Sequence, residues 1–201
     1  MARTYFCFLI LLVVLLSNCK SRKPSEFKSP VIKHAEFIPV TQFFLGELFL
    51  IDSLPVTPLR LIVENGKTDS QWLKKSEIKN LASEFLTPVI DSQHLYPYFK
   101  ESSFLDQTIN FYTFTYEAKN KLPEDMTLTR WDVYVDPKNK NISRVYLVKN
   151  LHTTNGKSIT EQLTWKAGTS FKINYISELQ NGKVNVKEEE IIWNFNSNSH
   201  N

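Results

Sequence analysis

Residues able to do chemistry are few and scattered. The four histidines, His34, His94, His152 and His200, never stand three or four residues apart, so no local metal-binding pair exists. Glu188, Glu189 and Glu190 form one acidic run, but calcium needs convergent oxygens from several elements. That run reads as a solvated edge, or as a bulge that blunts an edge strand. Asp132 and Asp136 would pair only if a turn brought them together, and Asp136-Pro137-Lys138-Asn139-Lys140 reads as a loop. Gly156-Lys157-Ser158 copies the end of a phosphate loop, yet Leu151 stands where its first glycine is needed. No Gly-x-Ser-x-Gly elbow surrounds any serine. The residues thus offer no catalytic set, no metal ligands and no cofactor motif.

Aromatic side chains are the most distinctive feature, with four Trp, eight Tyr and fourteen Phe. Tyr112, Phe114 and Tyr116 alternate along one segment, and Trp131, Trp165 and Trp193 fall at inward positions of three others. Two readings fit. The rings form the core of a domain without disulfides, or Trp131, Trp165 and Trp193 line a partly open groove for a hydrophobic ligand.

The start of the chain carries a targeting pattern. Arg3 precedes an apolar run from Tyr5 to Leu16, too short for a membrane-spanning helix, and a small-residue exit follows. That exit, Leu16-Ser17-Asn18-Cys19, resembles the lipobox of bacterial lipoproteins, although Asn18 stands where Gly or Ala is commoner. The resemblance implies a signal peptide removed before Cys19, a diacylated Cys19 thiol, and palmitate-type acylation of the new amino group. Two or three acyl chains anchor a protein stably, where one is marginal. No Asp follows Cys19 directly and no acidic run comes after it. By the same resemblance, the expected location is the periplasmic face of an outer membrane, with the leaflet as first partner. Cys7 leaves with the signal, so neither cysteine is free for a disulfide, a thiol nucleophile or a zinc site. A net charge of +3 is too small for a dedicated nucleic-acid binder.

The elements follow from periodicity. Residues 19–36, with Lys20, Arg22, Lys23, Lys28 and Lys33 among Ser and Pro, read as the lipidated Cys and a flexible tether. Residues 39–52 are apolar nearly all round and predict a helix buried on almost every side, with a strand as the alternative. Ile78, Leu81, Ala82, Phe85 and Leu86 keep helical spacing over residues 76–86, with Ser76 as N-cap and Pro88 as stop. A shorter helical piece is expected within residues 92–104. From residue 107 the period becomes two, predicting strands at 108–117, 127–135, 142–151, 158–166, 170–178 and 184–195. Asn65-Gly66-Lys67, Asn155-Gly156-Lys157 and Asn181-Gly182-Lys183 are hairpin-turn signals. Asn141-Ile142-Ser143 matches an N-glycan acceptor but reads as turn chemistry. Asp52-Ser53-Leu54 resembles an O-glycosylation acceptor of exported bacterial proteins.

The expected fold is α+β: N-terminal helices packed on one face of a C-terminal antiparallel β-meander of about six strands. The expected layout is a signal peptide (1–18), the tether (19–36), one domain (37–195) and a frayed tail (196–201). The expected function is that of an envelope lipoprotein acting as a binding or accessory subunit, with a hydrophobic ligand or an envelope protein as partner. A periplasmic hydrolase of cell-wall or glycan material is the alternative.

Overall fold

The computed structural model describes residues 38–90, 95, 97–152, 158–178 and 182–195, with the backbone alone at 152. Helix α1 (Val40–Ser53) leads into a hairpin of β1 (Leu59–Glu64) and β2 (Lys67–Trp72). Helices α2 (Lys75–Leu81) and α3 (Ser83–Leu86) follow. The remainder is a meander of β3 (Phe99–Asp106), β4 (Phe111–Ala118), β5 (Leu128–Val135), β6 (Ile142–His152), β7 (Ser158–Lys166), β8 (Ser170–Glu178) and β9 (Val184–Ile192). All strands join one antiparallel sheet in the order β2-β1-β9-β8-β7-β6-β5-β4-β3.

The sheet has nine strands, where the alternation pattern gave about six. All six expected segments are strands. The three additions are β1, β2 and β3, and two of these are the sheet edges. Every residue of β2 is exposed, and in β3 only Phe99 is buried, so neither carries a dry face for periodicity to reveal. Phe99–Asp106 also replaces the short helix expected there. The β1–β2 turn is the Asn65-Gly66 pair, with φ of 51° and 73°, the left-handed pairing of a type I′ turn. The polar residues Lys67, Thr68, Asp69, Ser70 and Gln71 then blunt the β2 edge against pairing with another chain.

The acidic run is not at an edge. β9 lies between β1 and β8, and two of its three consecutive carboxylates are paired: Glu188 with Lys172 at 3.1 Å, Glu189 with Arg60 at 2.8 Å. The strand closes the meander onto the N-terminal hairpin, and its charges are matched across strands.

The helical stretch 76–86 breaks at Ala82 into α2 and α3. Its cap is Lys74, not Ser76: the Lys74 N–H donates to Glu77 Oε2 at 2.7 Å. α1 departs most from expectation. Only Val40, Thr41, Phe44 and Ile51 are buried, while Leu45, Phe49, Leu50 and Leu54 face outward. The sheet and the other helices cover a single side of it. The Thr41 hydroxyl accepts the Ile90 N–H at 2.8 Å, and Lys75 Nζ donates to the Leu54 carbonyl at 3.0 Å, fixing both ends.

Candidate functional site

Strand register sorts the covered face of the sheet into three rows. The first runs Phe114, Val133, Val145, Trp165, Phe171 and Ile191. The second runs Tyr116, Trp131, Leu147, Leu163 and Ile173, and ends at Glu189. The third is polar: Lys149, Glu161, Tyr175 and Lys187. A face that begins aromatic therefore ends charged.

The aromatic rows are packed shut. Phe44 of α1 and Phe85 of α3 meet Trp165 at ring-centroid distances of 5.2 Å and 5.1 Å. Trp165 stacks on Phe171 at 5.0 Å and touches Trp193 at 5.7 Å. Tyr116 stacks on Trp131 at 4.5 Å, and Phe99 closes its other side at 4.6 Å. Trp131, Trp165 and Trp193 are 0%, 0% and 2% exposed, and none lines a described cavity. They hold the core, not a partly open groove. The reason is geometric: α1 and α3 deliver Phe44 and Phe85 onto the rings that a ligand would need. Such pairs add about 0.5–1.5 kcal/mol each beyond the area they bury.

The polar row holds the most unusual electrostatics. Lys149 is 2% exposed and donates to Glu84 Oε2 at 3.0 Å and to the Glu84 carbonyl. Glu161, directly across the strand pair, is 6% exposed. Its Oε2 has no hydrogen-bond partner among the described residues. Burial, then the Glu84 charge, raises the Glu161 pKa against the opposing pull of Lys149. The Tyr175 phenol is pushed up to about 12, first by burial and then by Glu189, Glu161 and Glu84, so it stays neutral. This arrangement can hold a proton, but none of the described cavities is lined by Glu84, Glu161 or Tyr175.

Other residues singled out by sequence have structural partners. Asp132, on the opposite face, takes Arg130 through both carboxylate oxygens at 3.1–3.2 Å. Asp136 accepts the Lys138 N–H at 2.7 Å, the turn expected of it. Ser53 donates to the Phe49 carbonyl at 3.0 Å at the end of α1. Cys19, its lipobox, His34, His94, Gly156, Lys157, His200 and the His152 side chain lie outside the described residues. Among the described residues no group of three His, Cys, Asp or Glu side chains could hold a metal, and no helix is long and apolar enough to cross a membrane.

A surface the sequence did not single out is the outer side of α1. Leu45, Phe49, Leu50 and Leu54 are 42%, 73%, 55% and 43% exposed. Its neighbour is a cavity of about 450 Å³ between α1 and α2, lined by Leu45, Leu48, Phe49 and Ile78, with Asp52, Lys75 and Lys79 at its polar side. Glu47 does not interrupt the apolar side. Its Oε2 accepts the Trp165 Nε1–H at 3.3 Å and the Gly168 N–H at 2.6 Å. The available signal was the thinness of the polar stripe over residues 39–52, which pattern reading takes for complete burial. A larger cavity of about 650 Å³ beneath the β4–β5 connection is lined by Pro123, Met126, Thr127 and Leu151 among others, with Lys121, Glu124 and Asp125 as its charged side chains.

The fold defines a class by architecture alone, a nine-stranded antiparallel sheet with a few helices. No protein-family model, curated protein or solved structure matches the chain.

Proposed function

We propose that the chain is a lipid-anchored protein of a bacterial envelope, tethered through Cys19 to the periplasmic face of an outer membrane. Its sheet domain is a non-enzymatic binding or accessory module for a hydrophobic ligand or an envelope protein. The observation that carries this reading is Leu16-Ser17-Asn18-Cys19 at the end of a short apolar run. In this reading α1, α2 and α3 cover one face of the sheet with rings, Trp131, Trp165 and Trp193 are its closed core, and binding falls to the outside of α1. The alternative, a periplasmic hydrolase of cell-wall or glycan material, would have to draw its acid and base from carboxylates such as Glu124 and Asp125, which line the cavity beneath the β4–β5 connection.

Metabolic labelling with palmitate tests the anchor. In a Gram-negative host the wild-type chain takes up label and sediments with outer-membrane fractions, and Cys19→Ala does neither. Unlabelled wild-type protein in the soluble periplasm would overturn the reading.

A further inference from the structure

α1 carries large apolar side chains on both of its sides but is covered on one. Going round the helix axis, the buried residues Val40, Phe44 and Ile51 fall on one side. Leu45, Phe49, Leu50 and Leu54 fall on the other, spaced by Gln42, Gly46 and Ser53. The charged side chain on this side, Asp52, stands at its border beside Leu45 and Phe49. Free helix faces in water carry several Lys and Glu, so a face this poor in charge that exposes a Phe at 73% is one that something covers.

We infer that this face docks on an anionic phospholipid bilayer, with the Leu45, Phe49, Leu50 and Leu54 side chains inserted at the headgroup level. The inference deepens the envelope reading and rests on it for the presence of the membrane. Three observations choose the bilayer over other occupants. First, α1 begins at Val40, and residues 20–39 separate it from Cys19, a stretch of chain that reaches at most about 75 Å. The anchor therefore holds the helix within that reach of the leaflet that the acyl chains enter. Second, the charges lining the adjoining cavity are mainly basic: Lys75 and Lys79 stand beside Leu45 and Phe49 against the single acid Asp52, while Lys74 and Glu77 are both exposed at the start of α2. The sequence between Cys19 and α1 also carries Lys20, Arg22, Lys23, Lys28 and Lys33. Basic groups beside an inserted apolar face complement anionic headgroups. Third, α1 has 14 residues, about 21 Å of helix, too short to cross a hydrocarbon core of about 30 Å. Lying in the interface is the geometry left to it, and it turns the open side of α1 to the acyl chains while the sheet points to solvent.

The test uses the full acylated chain in phosphatidylethanolamine vesicles containing about 30% phosphatidylglycerol, an anionic content typical of the surfaces such faces recognise. A bimane label is placed at Phe49→Cys, at Leu50→Cys or at the exposed loop position Asn139→Cys, and brominated phospholipid is the quencher. Expected is quenching at 49 and 50 at least about threefold that at 139, and a weakening of similar size when phosphatidylglycerol is omitted or in Lys74→Glu/Lys79→Glu. Equal quenching at all three positions in vesicle-bound protein overturns docking while leaving the anchor standing. The intact mass of the same sample reports acylation. If Cys19 proves unmodified, the anchoring reading fails and the vesicles are mixed with unanchored chain instead. Preferential quenching at 49 and 50 then sustains docking, and its absence overturns it. Label self-contact without lipid quenching would assign the face to a second copy of the chain and overturn the bilayer.

Discussion

Lys149 and Glu161 stand opposite each other on β6 and β7, yet the Lys149 ammonium binds Glu84 of α3 at 3.0 Å. Glu161 is left 6% exposed with one carboxylate oxygen unpaired among the described residues. The helix has drawn the cation away from the acid nearest to it in register. A buried carboxylate in this position disfavours its own ionisation.

Stability should therefore fall with rising pH through Glu161. Its folded pKa is raised, so the protonated form is the one folding favours. Below the ordinary Glu range both states are protonated and no penalty exists. As pH climbs, the unfolded chain ionises first and gains on the folded one until the folded pKa is passed. Glu161→Gln removes that slope. Urea melts should show the variant more stable by about 1 kcal/mol near neutral pH, the scale of an unsatisfied buried polar atom, with the difference vanishing near pH 4. A variant less stable than wild type at neutral pH would mean that the Lys149 charge relies on Glu161.

Glu84 and Glu161 should couple. Glu84→Gln removes the near partner of a buried ammonium, but Glu161 lies directly across the strand pair and can receive it. The single change is expected to cost about 1 kcal/mol. With Glu161→Gln already in place, the ammonium has no carboxylate on either side, and the same change is expected to cost about 3 kcal/mol. A double-mutant cycle by denaturation measures the difference. Additive costs would show that the two acids act independently.

Glu47 is a strut between α1 and the turn after β7. Its Oε2 accepts the Trp165 indole at 3.3 Å and the Gly168 amide at 2.6 Å. Gly168 adopts φ of 68°, which aims its N–H at the helix. Glu47→Ala leaves both donors without their acceptor and should cost about 2 kcal/mol. A change in Trp fluorescence should accompany it, because Trp165 is the indole involved. Glu47→Gln keeps an acceptor oxygen and should recover more than half of the loss.

What the sequence displayed and what it hid divide along burial. β7 and β8 were legible because Leu163, Trp165, Phe171 and Ile173 alternate with Thr164, Lys172 and Asn174, and the structure buries that first set. β2 and β3 were not, because an edge strand with no dry face carries no period. The Asn65-Gly66 turn announced a hairpin whose strands were invisible, since half-buried Leu59–Glu64 pairs with wholly exposed Lys67–Trp72. The three tryptophans were legible as a set, but their closure depends on Phe44 and Phe85 arriving from distant elements. The α1 face was the reverse case. Composition implied a cover on every side, and which side lacks one is decided by how the sheet, α2 and α3 pack against the helix. The polar row of Lys149, Glu161 and Tyr175 exists only through register, with residues 12 and 14 positions apart brought side by side.

Two phenylalanines on one helix separate packing from docking. Phe44 is fully buried against Phe85 and Trp165, whereas Phe49 is 73% exposed. Phe44→Ala opens a cavity among rings held by two other elements and should cost about 3–5 kcal/mol in denaturant melts. Phe49→Ala removes a side chain already in water and should change stability by less than about 0.5 kcal/mol. Membrane association reverses the order of sensitivity. On vesicles, Phe49→Ala should weaken contact of the α1 face, read by quenching of a label at position 50, while melting in the absence of lipid is unchanged. A loss above about 1 kcal/mol for Phe49→Ala in lipid-free melts would place its ring against protein and return the outer face of α1 to the core.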